Sequence, residues 1–330
     1  MEADSMPRLN MVEAINLALR EEMERDGRVI VLGEDVGKEG GVFRVTDGLQ
    51  EKFGLDRVID TPLAESGIVG VALGMAVYGL RPIAEIQFEG FLYPCLDQIN
   101  NHIARIRNRS RGRFTAPMVI RSPYGGGIHA PEHHSDSPEA IFAHIPGIKV
   151  VIPSTPHEAR GLLLSSIRDP DPVIFLEPKR IYRAIREEVP EGDNAIPLGK
   201  ARLVQEGKDV TVIAWGAMVR EAVAAAEQLK GDKIDLEIID LRTISPMDVE
   251  AIIQSIRKTG RGVIVHEAPK TCGFAAEIIA LINEKALLSL QAPVERVTGF
   301  DVPFPLMKAE HYYLPNPKRI VTAIKKVMSY

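Results

Sequence analysis

The chain has 330 residues, 45% of them hydrophobic and 26% charged, and carries a net charge of −5. This is enough chain for about two domains with cores of their own, and the acidic balance excludes a broad basic field for nucleic acid or an anionic membrane surface. The most apolar stretch, GIVGVALGMAVYGL at 67–80, falls short of the about 20 residues that a bilayer span needs.

Along the chain, short β-branched runs alternate with longer helical patterns. VIVL (29–32), PIAEIQF (82–88), PMVIRS (117–122), KVVIPS (149–154) and PVIFLE (172–177) read as buried strands. Between them MVEAINLALREEMER, SGIVGVALGMAVYG, CLDQINNHIARIRN and HEARGLLLSSIRD carry apolar residues at helical spacing. The basic run RIRNRSRGR (105–113) lacks interleaved aromatics and reads as a solvated helix end rather than a nucleic-acid site. Continuously apolar strands alternating with helices predict an α/β protein with parallel sheets covered on both faces.

The segment at 187–209 interrupts this rhythm with prolines, glycines and charge, and predicts a linker with a hairpin. After it the alternation restarts with VTVIAW (210–215), DLEIIDL (235–241), GVIVHE (262–267) and PVERVTG, each followed by a helical pattern. Two domains are expected, 1–186 and 201–330, joined by a linker at 187–200. Two cysteines far apart, Cys95 and Cys272, fit a reducing compartment. With a polar N-terminus of mixed charge, a soluble cytoplasmic protein is expected.

Three stretches carry chemistry. In GGGIHAPEHHSDS (125–137), His129 and His133 have the i, i+4 spacing of a helical zinc pair. Pro131 between them argues against a helix, which leaves a glycine-rich loop bearing a functional imidazole. In DTPLAESGIVGVALG, Glu65 stands at a helix entry, where an acid complements the helix N-terminus. Gly67, Gly70 and Gly74 follow, each costing about 1 kcal/mol relative to alanine, which predicts close backbone approach at a subunit interface. Phe88, Phe91 and Tyr93 cluster after a strand, as core residues or as a ring-stacking site at the sheet's carboxyl edge.

Taken in order, GEDVG…GGVFRVTDGL, DTPLAESGIVG, AEIQFEGFLYPCLDQI, IRSPYGGGIH, HHSDSPEAIFAHIPGIKVVIPSTPHEARGLL and PVIFLEPKRIYR resemble the beta subunit of the thiamine-diphosphate-dependent, decarboxylating component of 2-oxo acid dehydrogenase complexes. The resemblance runs from about residue 7 to the C-terminus. It implies a transketolase-like pyrimidine-binding domain followed by a transketolase-type C-terminal domain. Glu65 matches the glutamate that meets the aminopyrimidine of thiamine diphosphate. A proton shared there favours the imino tautomer that deprotonates the thiazolium carbon. Phe91 matches the aromatic that stacks on that ring. His134 matches the loop histidine facing the channel where the acyl group passes to a lipoyl arm, with Ser135 and Asp136 in reach to fix its ring. Imidazole protonates a departing sulfur near neutral pH. His133 reads as a surface residue, and His129 as a contact to substrate or a neighbouring loop. A structural cation, typically potassium, is implied at Ala116, Met118, Val119, Ser166, Asp169 and Asp171, where oxygen ligation suits a hard ion.

The magnesium motif G-D-G…N-N that holds the diphosphate in such enzymes is missing: only GDN (192–194) and GDK (231–233) occur, with NN at 100–101 upstream of both. The resemblance therefore implies half an enzyme, an α2β2 assembly in which an alpha subunit holds the diphosphate through Mg2+, served by a lipoyl acyltransferase. Branched-chain 2-oxo acids rank first as substrate, pyruvate second and acetoin third. A self-sufficient transketolase-like enzyme is the rival reading.

Overall fold

The computed structural model describes residues 6–330. Strands with two apolar faces need cover on both sides, and the chain meets that demand twice. Its strands are β1 (Arg8–Leu9), β2 (Val29–Gly33), β3 (Val58–Asp60), β4 (Arg81–Glu85), β5 (Val119–Tyr124), β6 (Lys149–Val151), β7 (Val173–Pro178) and β8 (Glu187–Glu188) in the first half. The second half holds β9 (Arg202–Gln205), β10 (Val210–Ala214), β11 (Leu236–Asp240), β12 (Thr243–Ser245), β13 (Gly262–Val265) and β14 (Glu295–Val297). One sheet runs in the order β12-β6-β7-β5-β4-β2-β3 and the other β14-β13-β10-β11-β9. Both are parallel except at one edge, where β12 lies antiparallel to β6 and β9 antiparallel to β11. The expected α/β class with parallel sheets is the class observed.

The helix Met11–Arg25 begins at a reciprocal cap. Asn10 Oδ1 accepts from Glu13 N at 3.0 Å, and Glu13 Oε2 from Asn10 N at 2.8 Å. Its apolar stripe, including Ile15, Leu19 and Met23, packs with Leu162, Leu163 and Ile167 of the helix Pro156–Arg168 in one buried cluster. Among the described residues no helix is long and apolar enough to cross a membrane.

Three local expectations change. The described residues 187–209 form no hairpin: β8 pairs with β1 and β9 joins the second sheet. Strand β12, from the second half of the chain, is donated to the first sheet in register Thr243↔Val151. Where an aromatic loop and then a single helix over 95–108 are expected, the chain forms a 3₁₀ stretch Glu89–Cys95, a wider π-type turn Gln98–Ile103 and a short α-helix Ile106–Arg109. Pro94 lies inside the first of these and has no N–H to give a regular helix.

Candidate active site

Strands β3 and β4 flank β2 on opposite sides, so the connections leaving β2 and its neighbours diverge and open a crevice at the carboxyl ends of the strands. The acid, aromatic and histidine segments singled out from the sequence open from that edge. Glu34 follows β2, Glu65 heads the helix after β3, Phe88 and Phe91 follow β4, the glycine loop follows β5 and Lys179 follows β7.

Glu65 is the first residue of the helix Glu65–Val77 and is half-buried. Its neighbour is a second acid absent from the sequence reading. Glu34 is buried, and its carboxyl is pushed up by that burial, with the charges of Glu65 and Asp35 adding to the effect. The GEDVG stretch was the available clue, but an acid after a strand has no periodicity to mark it. Along the same helix, a Cβ on Gly67 would meet only Ala64 at 3.6 Å, and one on Gly74 would meet nothing. Nothing within this chain requires those glycines. Their face lies open beside Val71 and Tyr78, which are 54% and 90% exposed.

Phe91 is half-buried beside Phe88 and His134, with ring centroids 6.1 and 5.3 Å away, both edge-to-face. The structure thus brings His134 to the expected stacking ring. Its imidazole is fixed by the Glu132 carbonyl, 2.7 Å from Nδ1, and by Phe88 at 4.2 Å. Neither Ser135 nor Asp136 does this. Ser135 Oγ is buried without a hydrogen-bond partner, and the Asp136 backbone carbonyl accepts from Gly125 N at 3.0 Å. His133 is exposed, with φ of 64°. His129 also has positive φ, so the pair does not share a helix face.

Gly125 and Gly126 are there for contact with the second domain, and a Cβ on Gly127 would meet the Arg180 side chain. Gly126 N donates to Glu267 Oε2 at 2.9 Å, Gly127 N donates to Glu310 Oε1, and His129 N donates to Glu310 Oε2 at 2.9 Å. His129 Nδ1 is also 2.9 Å from Glu310 Oε2. A Cβ on Gly125 would come within 2.8 Å of Glu267, and one on Gly126 would run into the Phe304 ring. The amides of Gly126, Gly127 and His129, of a kind that elsewhere cradles phosphate, are here taken by carboxylates. His129 therefore contacts a neighbouring segment, one of the two roles expected of it.

Beneath the aromatics lies a charged layer. Arg121 grips Glu177 through Nε at 2.7 Å and Glu85 through Nη1 at 2.7 Å, all buried. Lys179 and Glu89 pair at 2.7 Å with neither side chain exposed. Burial pushes the Glu89 carboxyl up to about 7 and the Lys179 ammonium down, each held back by the other's charge.

The residues expected to hold a cation gather at the opposite edge, around the amino-terminal ends of β5, β6 and β7. Their carboxylates are already committed: Asp169 to Lys149 Nζ at 2.6 Å and Asp171 to Arg107 Nε at 2.6 Å. The Asp169 carbonyl accepts from Arg81 at 3.2 Å, and those of Ala116 and Met118 accept from backbone amides. In the GDN turn, Asp193 pairs with Arg168.

Residues 8–184 match the pyrimidine-binding domain of transketolase, and residues 199–320 match the transketolase C-terminal domain. A solved structure described as a split gene transketolase, inactive beta4 tetramer, has the same fold. Its TM-score is 0.79 over 98% of this chain and 99% of that one, at 24% identity. The chain is 56% identical over 319 residues to the pyruvate dehydrogenase E1 component subunit beta of Acholeplasma laidlawii, covering 97% of this chain and 98% of that one. It is 54% identical over 325 residues to the protein of the same name from Bacillus subtilis strain 168, covering 98% and 100%. The chain belongs to the thiamine-diphosphate-dependent, transketolase-like family of 2-oxo acid dehydrogenase E1 beta subunits.

Proposed function

We propose that this chain is the beta half of a pyruvate dehydrogenase first component, which decarboxylates pyruvate and passes the acetyl group to the lipoyl arm of an acyltransferase. The observation that carries this reading is the contact of the Phe91 ring with the His134 imidazole at the same carboxyl edge of a parallel sheet from which the helix headed by Glu65 begins.

These residues fit the pyrimidine half of thiamine diphosphate and offer nothing for its diphosphate, since Asp193 is neutralised by Arg168 and the glycine loop's amides by Glu267 and Glu310. The diphosphate and its Mg2+ fall to an alpha subunit in an α2β2 assembly. The open glycine face of the Glu65 helix is a surface for subunit contact in that assembly. When bound, the cofactor supplies the nucleophilic carbon and the electron sink. This chain's own work is narrower. Glu65 holds a proton at the pyrimidine nitrogen, Phe91 orients the ring, and His134 delivers a proton to the lipoyl sulfur that leaves. With Asp169 and Asp171 already paired, a monovalent cation in this reading rests on carbonyl oxygens around Met118 and Ser166.

Branched-chain acids ranked first from sequence motifs alone. Relatives at 56% and 54% identity over nearly the whole chain are named for pyruvate, and that reverses the order. Co-expression with an alpha subunit and measurement of kcat/KM on pyruvate and 2-oxoisovalerate tests it. A pocket shaped for the smaller acid discriminates by about tenfold or more. Equal values, or a preference for 2-oxoisovalerate, would overturn the assignment. Turnover by the beta chain alone would favour the self-sufficient transketolase reading.

A further inference from the structure

We propose that the buried Glu89–Lys179 pair is a positioning device that locks the aromatic turn to the imidazole loop and so sets the acyl-transfer step. The inference deepens the function proposed above and rests on His134 being the proton donor there.

An ammonium has three donor directions, and at Lys179 two of them are used on the site. Nζ donates to Glu89 Oε2 at 2.7 Å and to the backbone carbonyl of His134, and it lies 5.2 Å from the centroid of the Phe88 ring. Phe88 in turn contacts the His134 imidazole, and Glu89 opens the turn that carries Phe91. One buried cation therefore touches both segments that bear the candidate catalytic rings. The segments also meet directly, because a Cβ on Gly90 would overlap the His133 carbonyl oxygen. Stability alone does not account for the pair. Replacing buried ion pairs by apolar groups is often neutral or stabilising, whereas an apolar pair could not hold the His134 carbonyl in one direction. Lys179 and Glu89 touch no reacting atom in this arrangement and act through His134 and Phe91.

The test uses the α2β2 holoenzyme with Lys179→Met, Glu89→Gln and the double variant, beside His134→Ala. Two rates are read: acyl transfer to a lipoyl domain, and decarboxylation of pyruvate with an artificial electron acceptor. Amide hydrogen exchange over residues 128–137 reports the loop independently of activity. A displaced donor costs about a hundredfold for an ångström of misplacement. Lys179→Met should therefore lose at least about tenfold more acyl transfer than decarboxylation, with faster exchange in the loop. The double variant buries no uncompensated charge, so it carries the test if a single variant does not assemble. It should lose as much as the worse single variant, because the pair acts as one unit. Parallel loss of both rates with exchange unchanged, or full recovery in the double variant, overturns the inference. If His134→Ala shows a selective loss and Lys179→Met does not, the inference fails alone; if His134→Ala shows none, the proton-donor reading fails first.

Discussion

Phe88 meets the His134 imidazole edge-to-face with ring centroids 4.2 Å apart, while Nδ1 of that imidazole lies 2.7 Å from the Glu132 carbonyl oxygen. A carbonyl oxygen only accepts, so Nδ1 carries a hydrogen and Nε2 is the nitrogen left to exchange a proton with substrate.

In the proposed function decarboxylation needs no proton from this nitrogen, whereas reductive acylation does. His134→Ala should therefore damage acyl transfer to a lipoyl domain more than decarboxylation measured with an artificial acceptor. A positioned general acid contributes about a hundredfold to ten-thousandfold, so the gap between the assays is large. His133→Ala is the control, since that side chain is exposed, and it should be mild in both. Equal losses in the two His134→Ala assays, in protein that still folds and assembles, would remove the proton-donor role.

Glu65→Gln keeps the shape and hydrogen-bonding reach of the side chain but removes the carboxyl that, in the proposed function, shares a proton with the pyrimidine. Cofactor affinity in the α2β2 enzyme should stay within a few fold, while deuterium exchange at the thiazolium carbon slows by about a hundredfold or more. Glu34 is buried, and the charge of Glu65 helps to raise its carboxyl. Wild-type exchange in Glu65→Gln would show that the carboxyl only caps its helix.

The sheets were legible because their strands are continuously apolar and bounded by helical patterns. Val29–Gly33 and Gly262–Val265 are apolar and buried throughout, and no surface chemistry blurs the period. What stayed hidden was long-range. Thr243–Ser245 is a strand only because Val150 and Val151 lie beside it, and three residues carry no pattern of their own. The glycine loop was read correctly as a loop. Its reason, Glu267 and Glu310 reaching over from the other domain, lies more than a hundred residues away. Glu65, Phe91 and His134 came from motif resemblance, and spacing alone would not have joined them. Lys179 and Glu89 escaped because a buried charge looks like a surface charge until its partner is seen.

His266 is buried with neither ring nitrogen hydrogen-bonded, and it stacks on Trp215 at 5.4 Å with 14° between the planes. Burial, with the charge of Arg296 adding to it, pushes its pKa down to about 4. The unfolded chain takes up this proton near the ordinary value of about 6.5, and the folded chain refuses it until about pH 4. Between those limits the unfolded state binds more protons, so stability present above pH 6.5 is lost as the pH falls and levels off below about 4. The slope from one such group reaches about 1.4 kcal/mol per pH unit. His266→Phe keeps the ring stack and removes the titration. Other groups are common to both proteins, including Glu139, which accepts from Trp215 Nε1 at 3.3 Å, and they cancel in the difference. Thermal unfolding of wild type and variant should give curves that converge above pH 7 in their pH dependence. Between pH 6.5 and 4 they should separate, with the wild type falling faster. Parallel curves across that window would mean that His266 takes its proton in the folded protein as readily as in the unfolded chain.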